Sequence, residues 1–334
     1  MKNKFSIYKL HFTTPLHLGD ARDDYSVSMK TIYSDTMYAA LTSCLAKIGK
    51  SIPDDGDLGF TISSLFPFYQ KNKDSKAVYF FPKGYKKSKA NDNTAEESIT
   101  AKDIKKIQWI DANYFEKRIN SNDTIYNDGK SIQGEYLTRE EVDKDFIQSE
   151  ISPRVTVSRT GEEDAKPFYM DRLYFKGNSG LYFLVLGDTK LLDIGIDILQ
   201  HEGIGTDRNV GNGFFTFSKD EIELETPENS DYVMSLSLFI PESKEQLSEM
   251  LSGEKAGYDF VRRGGWVTTP PFNALRKNAV YAFMHGSVFS LGNTDKLQIK
   301  GRIVDLKPEL PDNEQKLDHS IWRNGKTLFI PVKM

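Results

Sequence analysis

The sequence predicts an α+β fold: two ferredoxin-like (RRM-like) βαββαβ domains packed together, with a protruding β-hairpin and a glycine-rich loop. Three observations predict it. Each half opens with an alternating strand and continues through a helix into further strands. An acidic, proline-containing stretch divides the halves. And 334 residues with 38% hydrophobic side chains are enough for two modest cores. The same element order also fits other α+β domains.

In the first half, Phe5–Phe12 alternates as a strand ending at Thr13-Thr14-Pro15. A loop with His17, Gly19, Asp20, Arg22 and Asp23 follows. Met37, Leu41, Cys44, Leu45 and Ile48 then recur at helical spacing behind Ser34, a suitable N-cap. Lys71 to Lys106 reads as surface excursions around one strand, Val78–Pro82, and 119–152 as irregular and polar. Val155–Ser158 and Leu173–Phe175 imply a long projecting hairpin over Arg154–Phe175, followed by the apolar strand Leu181–Leu186. Leu191, Leu192, Ile194, Ile198 and Leu199 form a helical stripe after Asp188, leading into Gly203–Gly213 and a strand at Phe214–Phe217.

Residues Lys219–Asp231 hold six acids against one base, with Pro227 inside, which suits a linker. The expected domains are therefore 1–226 and 227–334. The second half opens with alternating Met234, Leu236, Leu238 and Ile240 and a helix over Lys244–Leu251. Strands are expected within Tyr258–Val267, Ala279–Leu291, Leu297–Val304 and Leu328–Val332.

Composition excludes several functions. With 44 basic and 48 acidic side chains the net charge is −4, so there is no polybasic nucleic-acid tail and no cationic membrane binder. No apolar run approaches the roughly 18 residues of a spanning helix, so no membrane partner is expected. The start Met1-Lys2-Asn3-Lys4 lacks a signal-peptide pattern, and a cytoplasmic location is expected. Cys44 is the single cysteine, which excludes an internal disulfide and a cysteine zinc site, and the five histidines are too scattered for a metal site. No cofactor is expected.

The most specific local signal is Gly203-Ile204-Gly205-Thr206-Asp207-Arg208-Asn209-Val210-Gly211-Asn212-Gly213. It follows a helix and precedes a strand, the reverse of a dinucleotide-binding loop. Such glycines let the main chain approach a phosphate backbone, with Arg208 adding charge and Asn209 a polar contact; a tight structural turn is the alternative. Between Asp259 and Arg302 seven bases, Arg262 and Arg263 among them, outnumber two acids and surround Trp266, a composition suited to single-stranded RNA or to a solvated strand edge. Arg154 and Arg159 bracket the hairpin's start. Phe168 and Met170 are candidates for an apolar wedge between bases, or for packing against a neighbouring subunit.

These motifs, taken in order, resemble the RAMP superfamily, and within it the type III-A CRISPR effector (Csm) subunit that holds the 5′ end of the guide RNA. The resemblance runs through Leu16-His17-Leu18-Gly19, Ser34-Asp35-Thr36-Met37, Leu65-Phe66-Pro67-Phe68 and Tyr79-Phe80-Phe81-Pro82. It continues in Val157-Ser158-Arg159-Thr160, the glycine-rich loop, Arg263-Gly264-Gly265-Trp266, Gly286-Ser287-Val288-Phe289 and the segment from His319 to Gly325. It implies two ferredoxin-like domains joined face to face, the hairpin acting as a thumb, no nuclease activity, and capture of the crRNA 5′ handle. It also implies two neighbours: the large polymerase-like subunit and the RAMP backbone subunit. The loop departs from the family pattern at Gly205-Thr206 and Gly213-Phe214-Phe215, where adjacent glycines and an arginine are usual. His17 and Arg22, in the loop after the first strand, are candidates for RNA contact; because RAMP relatives that cleave guide precursors use a histidine, His17 also supports a rival reading as an endoribonuclease, and a pure protein scaffold is a third.

Overall fold

A computed structural model describes residues 1–19, 25–86, 100–121, 131–157, 164–291, 301–311 and 315–334. The elements run β1 (Lys2–Phe12), α1 (Ser34–Lys47), β2 (Phe60–Ile62), β3 (Phe66–Tyr69), β4 (Val78–Pro82), α2 (Ala101–Lys106), β5 (Trp109–Asp111), α3 (Ala112–Asn120), β6 (Ile132–Gln133) and β7 (Tyr136–Leu137). They continue with β8 (Ile147–Thr156), β9 (Lys166–Phe175), β10 (Gly180–Gly187), α4 (Lys190–Glu202), β11 (Phe215–Glu225), β12 (Tyr232–Ser235), α5 (Lys244–Leu251) and β13 (Phe260–Arg263). Five short strands close the chain: β14 (Val280–Phe283), β15 (Val288–Ser290), β16 (Ile303–Asp305), β17 (Trp322–Asn324) and β18 (Phe329–Val332).

The large mixed sheet has the order β11-β1-β10-β3-β4-β5-β7-β6, with β2 also on β10. Its first strands alternate with α1 and α4 as strand, helix, strand, strand, helix, strand. The core is aromatic: Tyr8, Phe66, Phe68, Phe80, Phe81, Phe115, Tyr182 and Phe183 are all below 2% exposed. Helix α4 lies against α1, and Gly195 lets them meet closely: a Cβ there would stand 3.1 Å from Leu41 Cδ2.

The acidic stretch expected to be a linker is for the most part strand β11. Ile222 and Leu224 face inward while Glu221 and Glu223 face out and pair with Lys4 (2.6 Å) and Lys2 (2.7 Å) of β1. The acids are cross-strand partners, so their charge marked an outer face rather than a break. Helix α2 lies at the end of the stretch read as surface excursions, and α3 lies almost wholly in 107–118, where no element was expected. Asp111 caps α3 by accepting from Tyr114 N at 2.8 Å. Ser34 and Asp188 are not caps: Tyr33 and Thr189 precede the two helices, and Ser34 Oγ accepts from Leu238 N instead.

The C-terminal half departs further from expectation. Among the described residues it holds one α-helix, α5, and three small sheets, β15-β12-β18, β13-β14 and β16-β17. Its seam to the N-terminal part is apolar where Met234, Leu236 and Leu328 join the N-terminal core, and polar beside them. Ser237 Oγ donates to Ile62 O (2.7 Å), Ser64 N to Leu236 O (2.8 Å), and the Asp35 carboxylate, 1% exposed, receives Arg263 Nε (2.7 Å) and Arg323 Nη1 (3.1 Å). These two guanidinium groups outweigh desolvation and hold the Asp35 carboxyl below its ordinary pKa, so it is ionised at neutral pH.

Two outcomes follow from this seam. Asp35→Ala strands two buried guanidinium groups and should cost roughly 3–5 kcal/mol in urea unfolding; an unchanged midpoint would refute the clamp. His285, 9% exposed and packed on Phe66 (5.3 Å) and Tyr33 (5.9 Å), is pushed by burial from 6.5 down to about 4. The unfolded chain therefore binds a proton first as pH falls. Stability should drop by up to roughly 3 kcal/mol between pH 6.5 and 4, and His285→Leu should flatten that part of the profile.

Candidate nucleic-acid interface

Helix α4 ends where Gly203 takes φ +73°, and the chain then doubles back on itself: Ile204 N donates to Gly213 O at 3.0 Å. Most of the glycines serve this neck rather than a ligand. A Cβ on Gly213 would sit 1.9 Å from Ile204 O, one on Gly205 2.5 Å from His17 O, and one on Gly203 2.9 Å from Asn212 O. Gly211, at φ +90°, faces open space. The structural-turn reading thus holds for Gly203, Gly205 and Gly213, and the part of the loop that a ligand can reach is its tip.

At that tip a 3₁₀ turn, Arg208–Val210, exposes Arg208 and Asn209. A cavity of about 550 Å³ lies beside it, lined by His201, Asp207, Arg208, Asn209 and Phe214 among others. Asp207 stands at φ +61°, left-handed backbone that few non-glycine residues adopt. Its carboxylate pairs with Arg154 of β8 at 3.4 Å. The loop and the long hairpin therefore meet through an ion pair between residues 53 apart in sequence, next to the cavity.

The hairpin β8–β9 pairs from Ile147↔Phe175 to Thr156↔Lys166. Its two faces differ. One carries Arg154, Phe168 and Met170. The other carries Ile151 (55% exposed), Val155 (55%) and Tyr169 (63%), an apolar surface open to solvent. The alternation Ile151, Pro153, Val155, Val157 was the available signal for that surface, and the reading of 119–152 as irregular hid half of it.

Several expected site residues fall elsewhere. His17 is 1% exposed; its Nδ1 donates to Asp171 O at 2.7 Å, leaving Nε2 buried among side chains. That ring fixes the loop after β1 and cannot meet RNA. Met170 is 1% exposed, at the packed part of the hairpin, so it is no wedge; Phe168 is half-buried, 5.6 Å from the Tyr25 ring. Arg263 is committed to Asp35. Arg262 is exposed on the outer face of β13, and Trp266 is half-buried with the Arg276 guanidinium 5.0 Å over its ring. Arg22 and Arg159 lie outside the described residues. Among the described residues no group of histidine, cysteine or carboxylate side chains is arranged for a metal, and no helix is long and apolar enough to cross a membrane.

The two expected basic regions are also separated. Asp35 in the first turn of α1 holds Arg263, while Lys47 in its last turn pairs with Glu202, beside the cavity. Fourteen helical residues put about 20 Å between them.

Comparison with known proteins bears on this arrangement. The α+β fold is shared along 99% of the chain with a Csm1-Csm4 cassette in complex with pppApA (TM-score 0.58, 19% identity, 99% of that chain) and with a Csm3-Csm4 subcomplex of the type III-A CRISPR-Cas interference complex (TM-score 0.57, 18% identity, all of that chain at 100%). Residues 228–332 match the CRISPR Csm4 C-terminal domain. A Csm4 protein of Streptococcus thermophilus is 26% identical over 344 aligned positions, covering 98% of this chain and 99% of that protein. These likenesses support a Csm RAMP subunit: the chain is similar to Csm4 proteins along nearly its whole length, and its C-terminal third matches the Csm4 domain.

The neck itself can be tested. Gly213→Ala must displace the Ile204 carbonyl from a position that leaves 1.9 Å for a methyl group, at a φ of +75°. It should lower the unfolding midpoint, whereas Gly211→Ala, facing open space, should cost about 1 kcal/mol for its left-handed backbone. Equal costs would refute the division between neck and tip.

Proposed function

We propose that the chain is a non-catalytic subunit of a type III-A CRISPR interference complex that binds and caps the crRNA 5′ handle. The observation that carries this reading is the meeting of hairpin and glycine-rich loop at the cavity. Arg208, Asn209 and Phe214 line one open concavity, supplying a cation, a polar side chain and a ring, and Arg154 adds a second cation through its pair with the lining residue Asp207. Guanidinium groups suit phosphate oxygens, and a ring beside them suits a base. We read the β8–β9 hairpin as a thumb, the two halves as ferredoxin-like domains dividing at 226/227, and the working compartment as the cytoplasm.

Partners are inferred from the related structures, which pair Csm4 with Csm1 and with Csm3. In this chain they correspond to the large polymerase-like subunit and the RAMP backbone subunit. The apolar outer face of the hairpin, with Ile151, Val155 and Tyr169 exposed, is suited to one of these protein neighbours. Cleavage by His17 finds no support in its burial.

The test is binding of a labelled guide carrying its 5′ handle against one with a scrambled handle, over a salt series. Tighter binding of the true handle is expected. Arg208→Ala and Arg154→Ala should each weaken binding and each lower the salt slope by about one. Asp207→Asn should tighten binding severalfold, because it releases Arg154 to phosphate while asparagine still tolerates the left-handed backbone. Equal affinity for both guides, with all three variants silent, would overturn the reading.

A further inference from the structure

The hairpin β13–β14 carries an outer face that no role assigned so far uses. Phe260 pairs with Phe283 and Arg262 with Tyr281, so these four residues share one face of the ribbon; Val261, Arg263, Val280 and Ala282 share the other. The second face is the inner one: Ala282 is 1% exposed and Arg263 reaches Asp35. On the outer face Phe260 is 56% exposed, Tyr281 62%, and Tyr258, just before the strand, 44%. Rings of this size are normally buried, and three of them exposed side by side form a patch rather than scattered surface.

The patch is ordered. Phe260 and Tyr281 meet edge to face at 5.7 Å, and Tyr258 is anchored edge to face on Phe283 at 5.3 Å, which in turn packs on the buried Phe289 at 5.1 Å. Tyr258 is therefore held by the core beneath it, while Phe260 and Tyr281 hold each other across the ladder. Arg262, exposed and directly across from Tyr281, sets a guanidinium beside the rings.

We infer that this face is a second contact for single-stranded RNA, a stacking platform of Phe260 and Tyr281 with Arg262 on the backbone. Charge complementarity selects this occupant: Arg262 stands on this face and the exposed Arg276 farther along the same ribbon, opposite Trp266, while Asp259, next to Phe260 in sequence, is within 3.5 Å of the Tyr85 hydroxyl. The exposed face of the β8–β9 hairpin, with Ile151, Val155 and Tyr169, has no arginine among these residues and suits a protein neighbour better. The platform sits at the α1 end opposite the glycine-rich loop, about 20 Å away along the helix. A strand held at the loop must therefore run on by several nucleotides to reach it, so the inference rests on the RNA-binding reading of the loop and adds a length requirement to it.

The experiment uses the full chain and two guide-derived RNAs: one ending at the handle, and one extended by about eight nucleotides. Extension should raise the affinity of the unaltered protein about tenfold, and Phe260→Ala/Tyr281→Ala should abolish that gain while leaving the short RNA's affinity unchanged. RNA carrying 4-thiouridine in the extension should crosslink to the Phe260–Tyr281 peptides of the unaltered protein, a readout that does not depend on the variant folding. If the short RNA binds but extension gains nothing, or the double variant keeps the gain, the platform is overturned and the loop is not. If the double variant keeps the gain but no longer holds a co-expressed Csm1-like or Csm3-like subunit, the face is a protein dock and the inference is wrong. If the short RNA itself fails to bind, the reading of the loop fails and the platform falls with it.

Discussion

The buried carboxylate of Asp35 is the constraint from which the arrangement of the two halves follows. It enters the first turn of α1, where the helix dipole favours an anion, and it accepts from β13 through Arg263 and from β17 through Arg323. A single buried charge would be costly, and so would either guanidinium alone; together they bind three elements that are 228 and 288 residues apart in sequence from one another's anchor. The surplus positive charge is felt nearby. Lys277 is lowered to about 8 by burial and by Arg323 and Arg263, with Asp35 opposing. Arg263 is spent on this junction, which is why a strand that looked basic in sequence offers Arg262, and not its neighbour, to a ligand.

How much of this was legible follows from which residues carry period and which carry partners. Strand β1, helices α1, α4 and α5 and the apolar strand β10 have strong periodicity, and their existence was readable from it; α5 occupies Lys244–Leu251, the span its pattern marked. The start of strand β11 was read correctly at Phe214–Phe217, but its continuation was taken for a linker because the inward Ile222 and Leu224 were outnumbered by acids whose lysine partners lie on β1, more than 200 residues away. Helix α3 is short and depends on Asp111 and on packing of Phe115 against Phe81 at 4.3 Å, neither of which a local pattern reveals. At the site, the glycines announced a special turn without saying which way it faced. Only the close approaches to Ile204 O and His17 O show that the neck consumes Gly213 and Gly205. Phe260 and Tyr281 were invisible for the opposite reason: aromatic residues in a strand ordinarily mean core, and exposure is a property of the finished fold.

The same distinction resolves an apparent conflict between charge and function. A chain with a net charge of −4 seems a poor RNA ligand, yet charges more than about 10 Å away are largely screened at ordinary ionic strength. What a phosphate meets is the local balance. Of the acids at the cavity, Glu202 is paired with Lys47 and Asp207 with Arg154, while Arg208 projects at the exposed tip. Pairing turns both carboxylates from repulsive groups into holders of a base, and leaves the concavity with a positive balance. The acidic excess lies in part on β11, where Glu221 and Glu223 are neutralised across the ladder by Lys4 and Lys2. Net charge is thus set by one part of the molecule and the field at the site by another. An ion pair such as Arg154–Asp207, worth little to stability because both partners are partly exposed, has its consequence in ligand exchange: a phosphate that displaces Asp207 takes over an arginine already held at the cavity.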